Sequence, residues 1–382
     1  MTAPGNPAVP VEVAERGPAA PVEAPPSEIP IVPPLPPLVL GVRVVVGVLL
    51  AAAALYAPFF FEPRFNLLLS QALYFAVAAM GLNLLTGFNG QVSIGHGAFF
   101  GVGAFTSAIL IVDHGWSFEA TVPVAAAITG FSGVLVGFPA LRVRGLYLAL
   151  LTLGFAVLLP RFASRFVSGT ANQPLLQPRR AEFSSLLTFL DDDQWVYFVC
   201  LVVVLLGAVL ARNLVRSRFG RAMVAVRDQE IAATTLGVNL PATKVATFGL
   251  SAAYAGVAGS LSVMVDRLAD GTNAILYFQR SIEFLVAMVI GGAATILGPV
   301  VGAFVLIALR RNSEDLIEGK ELLAPAIFGG ALIVAVFVLP QGIVGGFHRL
   351  LARWSRGRVR RSPPNGGDAS LSTEAGPEPE PG

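Results

Sequence analysis

Isolated polar residues interrupt long apolar stretches of this sequence and are its best candidates for chemistry. They are Asn83, Asn89, Gln91, Ser93, His96, Thr106 and Thr152, with Glu283 just before a further apolar stretch. A polar group among apolar neighbours needs a hydrogen-bond partner or a polar cavity to face. These residues therefore indicate either the lining of a path for a polar solute or interhelical hydrogen bonds that fix packing.

The sequence offers no pattern for catalysis or metal binding. It contains three histidines and one cysteine, Cys200, so no intrachain disulfide or cysteine-based metal site is possible. His96 stands between two glycines with no second His or Cys nearby, which favours a hydrogen bond at a helix break. No Gly-x-x-x-x-Gly-Lys-[Ser/Thr] motif occurs. We expect no enzymatic activity and no metal, nucleotide or other cofactor bound by this chain, and no nucleic-acid partner.

Apolar stretches long enough to cross a membrane make up most of the chain. It is 54% hydrophobic and 13% charged, with a mean hydropathy of +0.71, whereas soluble domains average about 25% charged residues. Most stretches reach the roughly 20 residues that a membrane-spanning helix needs, and they lack the alternation of barrel strands. We predict an all-α, polytopic transmembrane helical bundle of about 9–10 spans, with broken or re-entrant segments. The stretches are 38–61, 65–86, 90–112, 120–141, 145–159, 195–211, 245–265, 284–309 and 322–347.

Arginine clusters predict the orientation, because Lys and Arg collect on the cytoplasmic side of short loops. Five arginines lie within 212–227 and six within 349–361. Both clusters fall inside only if 281–309 is a broken pair of segments or a re-entrant hairpin. Residues that make helix continuation costly occur at Gly291, Gly292, Gly298 and Pro299. We predict two half-segments there and cytoplasmic termini at both ends.

The chain divides into three regions. Residues 1–37 are rich in Pro, Ala and Glu and read as a disordered cytoplasmic tail. Residues 38–347 form the transmembrane domain, with a cytoplasmic loop at 212–241. Residues 348–382 are basic and then read as a disordered cytoplasmic tail.

Small residues recur at four-residue spacing, at Gly97/Gly101 and Gly298/Gly302. This spacing places them on one helix face, where backbones can pack closely. Close packing alone and a moving gate are both compatible with this feature.

The predicted span interiors contain no Asp or Glu, and Arg43 is their only cation. Proton-coupled carriers usually need carboxylates within the membrane. A proton relay is therefore disfavoured, and energy for uphill transport would come from a partner.

The loop after the sixth stretch carries an apolar face and charges, which predicts one or two short amphipathic helices. Its segment Glu230-Ile-Ala-Ala-Thr-Thr-Leu-Gly237 resembles the EAA loop by which ABC importer permeases grip their ATPase subunits, with Ile231 inserted after the Glu. The resemblance implies that the coupling residues are Arg227, Asp228, Glu230, Ala232, Ala233, Gly237 and Pro241.

Further segments are similar to the signature of the branched-chain amino acid ABC transporter permease family. They are Gly81–Gly87, Gly90–Phe105, Gly145–Phe155 and Ser281–Ala303, in that order, and the likeness covers residues 38–347. The order and the long N-terminal span are closer to the family's second permease subunit than to its first.

This resemblance implies an importer in the bacterial plasma membrane. Its other parts would be a paralogous permease, two ATPase subunits that use ATP, and an extracytoplasmic solute-binding protein, all assembled in the lipid bilayer. The solute would be a branched-chain or related amino acid, with urea or short amides as alternatives. A secondary carrier without an ATPase is the remaining alternative.

Overall fold

The computed structural model describes residues 37–143, 146–166, 190–267, 274–315, 329–330, 333 and 342–346. The predicted tails, the loop after the fifth stretch and most of the predicted stretch 322–347 lie outside the described residues. The elements of the described residues are all helices. In chain order they are α1 Pro37–Phe60, α2 Pro63–Leu82, a π-helical segment Asn83–Phe88, α3 His96–Val112, α4 Phe118–Ala140, α5 Leu146–Phe166, α6 Asp192–Arg216, α7 Arg218–Asp228, α8 Glu230–Thr235, α9 Leu240–Asp266, α10 Ala274–Gly291 and α11 Gly298–Asp315.

Four of these helices are long and apolar enough to cross a membrane. They are α2 together with its π-helical continuation, α4, α6 and α9, of 26, 23, 25 and 27 residues. Shorter apolar stretches are Ala51–Phe60 within α1, the whole of α3 (His96–Val112), and Tyr147–Leu158 within α5. Since about 20 apolar residues span the hydrocarbon core, these lengths confirm the predicted all-α membrane fold. The two short helices expected in the loop are α7 and α8.

Helices α2 and α9 form the centre of the bundle. In each, 78% of the most apolar window is buried, against 28% for α4 and 17% for α6. The outward faces of α4 and α6 carry large apolar side chains, among them Phe131, Leu135, Leu205 and Leu206. An apolar helix whose outward face is also apolar suits contact with lipid or with another membrane helix.

Close backbone contacts between glycines bring α3 and α4 onto α9. A Cβ atom at Gly103 of α3 would overlap the backbone of Gly256 of α9. A Cβ at Gly133 of α4 would overlap the side chain of Ala252, one turn earlier on α9. Small residues therefore set the distances within this three-helix core, as is common for helices in membranes.

Helices α10 and α11 form an antiparallel hairpin, which confirms the predicted division of 281–309. Helix α10 ends at Gly291, Gly292 adopts a φ of 120°, and α11 begins at Gly298 and Pro299. A Cβ at Gly302 would overlap the carbonyl of Ala287, so the two helices lie in close contact. Proline suits the first turn of a helix, where its missing N–H leaves no hydrogen bond unmade.

The start of α10 differs from the expectation. The helix begins at Ala274 rather than at residue 284, so it contains both Arg280 and Glu283. Glu283, which was expected just before an apolar stretch, therefore lies within α10 and is buried. Its charge is tolerated because the guanidinium of Arg280, one turn earlier, lies 3.0 Å away. Buried carboxylates are stable only when such partners are present.

The two ends of the bundle differ in charge. One end, here called the basic end, carries α7 with Arg218, Arg221 and Arg227. The turn between α10 and α11 lies at this end, because Ala294 and Ile296 pack on the cluster of Leu84, Phe88, Ala211 and Met223. Residues 342–346 also lie there, since Gly342 touches Gly292.

Enlarging a contact glycine should destabilise the three-helix core. We expect Gly103→Val to lower the free energy of unfolding by about 1–3 kcal/mol, the usual cost of overpacking. The measurement is the thermal unfolding midpoint of the purified chain in detergent. Gly154→Val is the matched control, because Gly154 is exposed and a Cβ there meets no described atom within 4 Å. Equal midpoints for the two variants would contradict this account of the core.

Candidate functional site

An irregular segment, Asn89–Gly95, interrupts the helices inside the bundle. It connects the π-helical segment to α3 and contains no helical residue. Asn89, Gln91 and Ser93 are 2%, 7% and 0% exposed. At its far end, Nε2 of His96 lies 3.1 Å from the carbonyl oxygen of Ala78, ten residues before the end of the π-helical continuation of α2 at Phe88. The segment therefore runs from the basic end to about the mid-height of the bundle.

Neighbouring helices form hydrogen bonds with backbone groups of the segment and of the first turn of α3. The N–H of Ile94 donates to Thr152 Oγ1 of α5 at 3.2 Å, and the N–H of Gly97 donates to Ser281 Oγ of α10 at 2.8 Å. Thr86 Oγ1 donates to the carbonyl of Gln91 at 2.9 Å. Irregular backbone at membrane depth is tolerated only where protein or a polar cavity surrounds it. Helices α5 and α10 provide those surroundings.

Several side chains of the segment have no such partner. Both polar atoms of the Asn89 amide, Ser93 Oγ and His96 Nδ1 are buried and make no hydrogen bond to a described residue. Ser251 Oγ of α9 is in the same condition, and the carbonyl of Ser251 lies beside Gly81, next to His96. An unsatisfied buried polar group costs about 1–3 kcal/mol. Water or a polar solute would remove that cost.

Five of the eight predicted pathway residues lie in this region. Asn89, Gln91, Ser93 and His96 belong to the segment or adjoin it, and Thr152 contacts it. The hydroxyl of Thr106 donates to Val102 of its own helix at 2.7 Å, away from the segment. Glu283 instead accepts from Arg280 and Gln279 of its own helix.

Asn83, also predicted to line the pathway, joins the π-helical segment to the α10–α11 turn. Its Nδ2 donates to the carbonyl of Thr295 at 2.7 Å, and its Oδ1 accepts from the N–H of Ala294 at 2.8 Å. Both amide atoms are therefore used, which indicates a packing role for this side chain.

Glycines at the start of α3 permit a close approach of three helices. A Cβ at Gly95 would overlap the carbonyl of Thr152 in α5, and one at Gly97 would overlap the carbonyl of Tyr277 in α10. Gly101, one turn further on, is buried. The predicted spacing of small residues thus lies where α3 meets its neighbours.

Three further residues of this region were missed by the sequence reasoning. Ser251 and Ser281 are serines within apolar helices, the same signal that identified Ser93. The backbone carbonyl of Lys244 accepts a hydrogen bond from Gln91 Nε2 at 3.4 Å. No sequence pattern predicts this contact.

The loop at the basic end folds as two helices, α7 and α8, that pack against the bundle. Ser217 caps α7 by accepting from the N–H of Gly220 at 3.2 Å, and Met223 and Val226 bury its inner face. Helix α8 follows directly. It ends at Thr235, and Gly237, two residues later, has a φ of 84°, which suits glycine just after a helix C-terminus. Pro241 lies in the first turn of α9.

The predicted coupling residues divide into inward and outward groups. Glu230 forms an ion pair with Lys244 of α9, and Ala233 is buried. Ala232 and Asp228 are exposed. The largest exposed apolar side chains of the loop are Ile231 and Leu236, at 76% and 82%.

One contact ties α7 to the irregular segment. Arg227 Nη1 donates to the carbonyl of Gly87 at 2.9 Å, and a Cβ at Gly90 would lie 2.8 Å from Arg227 Cγ. The φ of Gly90, 74°, bends the chain at this contact. The geometry links the exposed loop mechanically to the buried segment.

Among the described residues, no group of three or more His, Cys, Asp or Glu could hold a metal ion.

Removing the amide of Asn83 should destabilise the basic end. We expect Asn83→Leu to lower the free energy of unfolding by about 1–3 kcal/mol, because the N–H of Ala294 loses its partner. Thr106→Val is the matched control, since that hydroxyl bonds only within its own turn in the described structure. Thermal unfolding in detergent measures both variants, and an unchanged midpoint for Asn83→Leu would rule out the linking role.

Comparison with known proteins now adds the identity of the family. A model of the branched-chain amino acid transport system permease component matches residues 65–339. Permease protein LivM of the high-affinity branched-chain amino acid transport system of Escherichia coli K12 is 30% identical, over 71% of this chain and 67% of LivM. LivM of Salmonella typhimurium is 29% identical, over 72% and 68%. Permease protein LivH of Escherichia coli K12 is 26% identical, over 75% of this chain and 96% of LivH.

No solved structure was found to match the chain. The match of the family model nevertheless covers both the irregular segment and helices α7 and α8. The chain belongs to the family of permease components of branched-chain amino acid transport systems.

Proposed function

We propose that this chain is a permease subunit of an ATP-driven importer and forms part of the path for a branched-chain amino acid or a related one. Family membership and the naming of LivM and LivH as permease proteins of branched-chain amino acid transport support the class and the solute. The observation that carries the mechanism is the bond between Arg227 of α7 and the carbonyl of Gly87.

Movement of α7 and α8 would be transmitted to the irregular segment through two connections. The first is the contact of Arg227 with Gly87 and Gly90. The second is through Lys244. Its ammonium forms an ion pair with Glu230 of α8, and its backbone carbonyl accepts a hydrogen bond from Gln91 Nε2 of the segment. A partner that pushes on the loop therefore acts directly on the base of the segment.

The outer surface of α8 suits an ATPase subunit. Ile231 and Leu236 are exposed beside the polar Thr234 and Thr235, and exposed apolar side chains with a polar rim mark protein interfaces. An amphipathic helix of this kind docks into a groove on its partner. ATP would be bound and hydrolysed by that partner, and this chain would bind no cofactor of its own.

Charge supports an orientation with the basic end in the cytoplasm. Arginines gather on the cytoplasmic side of bacterial plasma-membrane proteins, and α7 carries them at this end. Residues 342–346 lie at the same end. The arginines at 349–361 follow directly in the sequence, so the C-terminal tail would also be cytoplasmic.

The chemistry of the segment suits a zwitterion or a small neutral polar solute. Its polar groups are amide, hydroxyl and imidazole, and no residue from 89 to 95 carries a charge. The unpartnered Asn89 and Ser93 could donate to and accept from such a solute. Because the chain resembles both LivM and LivH of one organism, we infer that it pairs with a related permease. A solute-binding protein would deliver the solute from outside.

Disrupting the exposed face of α8 should uncouple transport. An affinity-tagged chain is purified from its native membrane with its associated subunits and reconstituted in liposomes, and ATP-driven uptake of labelled leucine, isoleucine, valine and urea is measured. We expect uptake of at least one amino acid, and a loss of tenfold or more in the Ile231→Asp, Leu236→Asp variant. Burying each apolar side chain is worth about 1.5–3 kcal/mol, and about 1.4 kcal/mol is a tenfold change in affinity.

The control is Ile231→Leu, which keeps an apolar side chain at the same position and should retain uptake. Full uptake by the double Asp variant would contradict the docking role. Uptake of urea alone would replace the amino acid by an amide, and uptake without ATP would indicate a secondary carrier.

A further inference from the structure

A cavity of about 290 Å³ opens at the end of the bundle opposite the basic end. It lies between the first turns of α2, the last residue of α9, the middle of α10 and the second half of α11. Its size is close to the lower bound of small-ligand pockets, about 300 Å³. The proposed orientation places it on the outer face of the membrane, where a solute would arrive.

Arginines dominate the charge of this cavity. Of the charged residues that line it in the described part of the chain, four are cationic and one is anionic: Arg64, Arg280, Arg310, Arg311 and Asp266. Guanidinium groups are suited to binding a carboxylate through two parallel hydrogen bonds.

A buried counter-ion pairs with Arg280 of α10 and lies near Arg310 of α11. The side chain of Glu283 is 5% exposed, with its Oε2 3.0 Å from Arg280 Nη1 and its Oε1 3.9 Å from Arg310 Nη1. The guanidinium of Arg280 also stacks 5.0 Å above the ring centroid of Phe75. Glu283 does not line the cavity, so the guanidinium groups of Arg280 and Arg310 lie at the wall and this carboxylate lies behind them.

Asp266 supplies the opposite charge. Its Oδ1 accepts from Gln71 Nε2 at 3.0 Å and its Oδ2 accepts from Tyr74 Oη at 2.9 Å, which holds the carboxylate at the wall. Asp266 is the last residue of α9, where the helix dipole disfavours an anion. Each of its oxygens retains room for a further donor, because a carboxylate accepts about four hydrogen bonds in total.

The other described residues of the wall are Gln71 and three aliphatic side chains. Leu67 and Leu68 of α2 and Ile307 of α11 line the cavity beside the charged groups. Among the described residues, the arginines, the carboxylate of Asp266 and the aliphatic side chains together match the three parts of an aliphatic α-amino acid.

We propose that this cavity is an outer binding site for a zwitterionic amino acid with an aliphatic side chain. The solute carboxylate binds Arg310 and Arg311, its ammonium binds Asp266, and its side chain packs on Leu67 and Ile307. The inference rests on the proposed function, and it adds a second site on the path, separate from the irregular segment. A simple anion fits less well because Asp266 repels it, and a simple cation fits less well because the arginines repel it.

Equilibrium binding to the full chain in phosphatidylcholine nanodiscs tests the site with three probes. They are L-leucine, 4-methylpentanoate, which lacks the ammonium, and isoamylamine, which lacks the carboxylate. We expect leucine to bind at least tenfold more tightly than either analogue. Asp266→Asn should reduce leucine to the affinity of 4-methylpentanoate, and Arg310→Gln should weaken leucine at least tenfold. Arg221→Gln at the basic end is the control and should change nothing.

The outcomes separate this site from the proposed function. If the assembled transporter takes up leucine while the two cavity variants bind and transport it normally, the cavity assignment is wrong and the proposed function stands. If neither binding nor ATP-driven uptake of any amino acid occurs, the proposed function fails as well. Competition by phosphatidylethanolamine in the nanodisc would assign the cavity to a lipid headgroup and overturn the amino-acid site. Should Arg310→Gln unfold, Arg311→Gln provides the same comparison.

Discussion

The need to satisfy every peptide group inside the membrane governs this structure. A continuous helix meets that need alone, but the chain abandons the helix between Asn89 and Gly95, in the interior of the bundle. Without water, each unpaired N–H or carbonyl there is costly. Thr152 of α5 and Ser281 of α10 provide hydroxyl groups to the N–H groups of Ile94 and Gly97. The positions of α5 and α10 around α3 therefore follow from the interruption.

Close glycine contacts hold the three-helix core, and several unpartnered polar side chains lie beside it. The core of α3, α4 and α9 is fixed by contacts such as Gly103 with Gly256, where no methyl group fits. The segment beside it keeps unpartnered polar atoms on Asn89 and Ser93. The segment is held at its base, where Arg227 donates to the carbonyl of Gly87, and at its far end, where Gly95 lies against the carbonyl of Thr152.

Much of the fold could be predicted from sequence because hydrophobic length and helix-breaking residues are local signals. Apolar runs located the helices, and Gly291, Gly292, Gly298 and Pro299 located the α10–α11 turn. The arginine clusters were needed to select the hairpin, since length alone also allowed one crossing of 284–309. The start of α10 was missed because a charged pair ends an apolar run, although Arg280 and Glu283 neutralise each other in the folded chain.

The site was harder to predict because its contacts join distant residues. Gly97 and Ser281 are 184 positions apart, and Asn83 and Thr295 are 212 apart. Thr106 and Thr152 have the same side chain in apolar surroundings, yet only Thr152 reaches the segment. Which polar residue faces a neighbour and which bonds its own turn depends on helix rotation. The rotation of each helix about its axis could not be predicted from the sequence alone.

If the segment Asn89–Gly95 faces the transported solute, as proposed, a cysteine within it should be reachable from water. The experiment introduces Ser93→Cys into the assembled transporter on a Cys200→Ala background and measures reaction with a small water-soluble thiol reagent. Ser93 and Cys200 are both fully buried in the described structure, so the native Cys200 is the comparator. We expect position 93 to react during ATP hydrolysis, transported solute to slow that reaction, and Cys200 of the otherwise identical transporter without either substitution not to react. A cysteine at position 93 that stays as unreactive as Cys200 in every state would contradict the proposal.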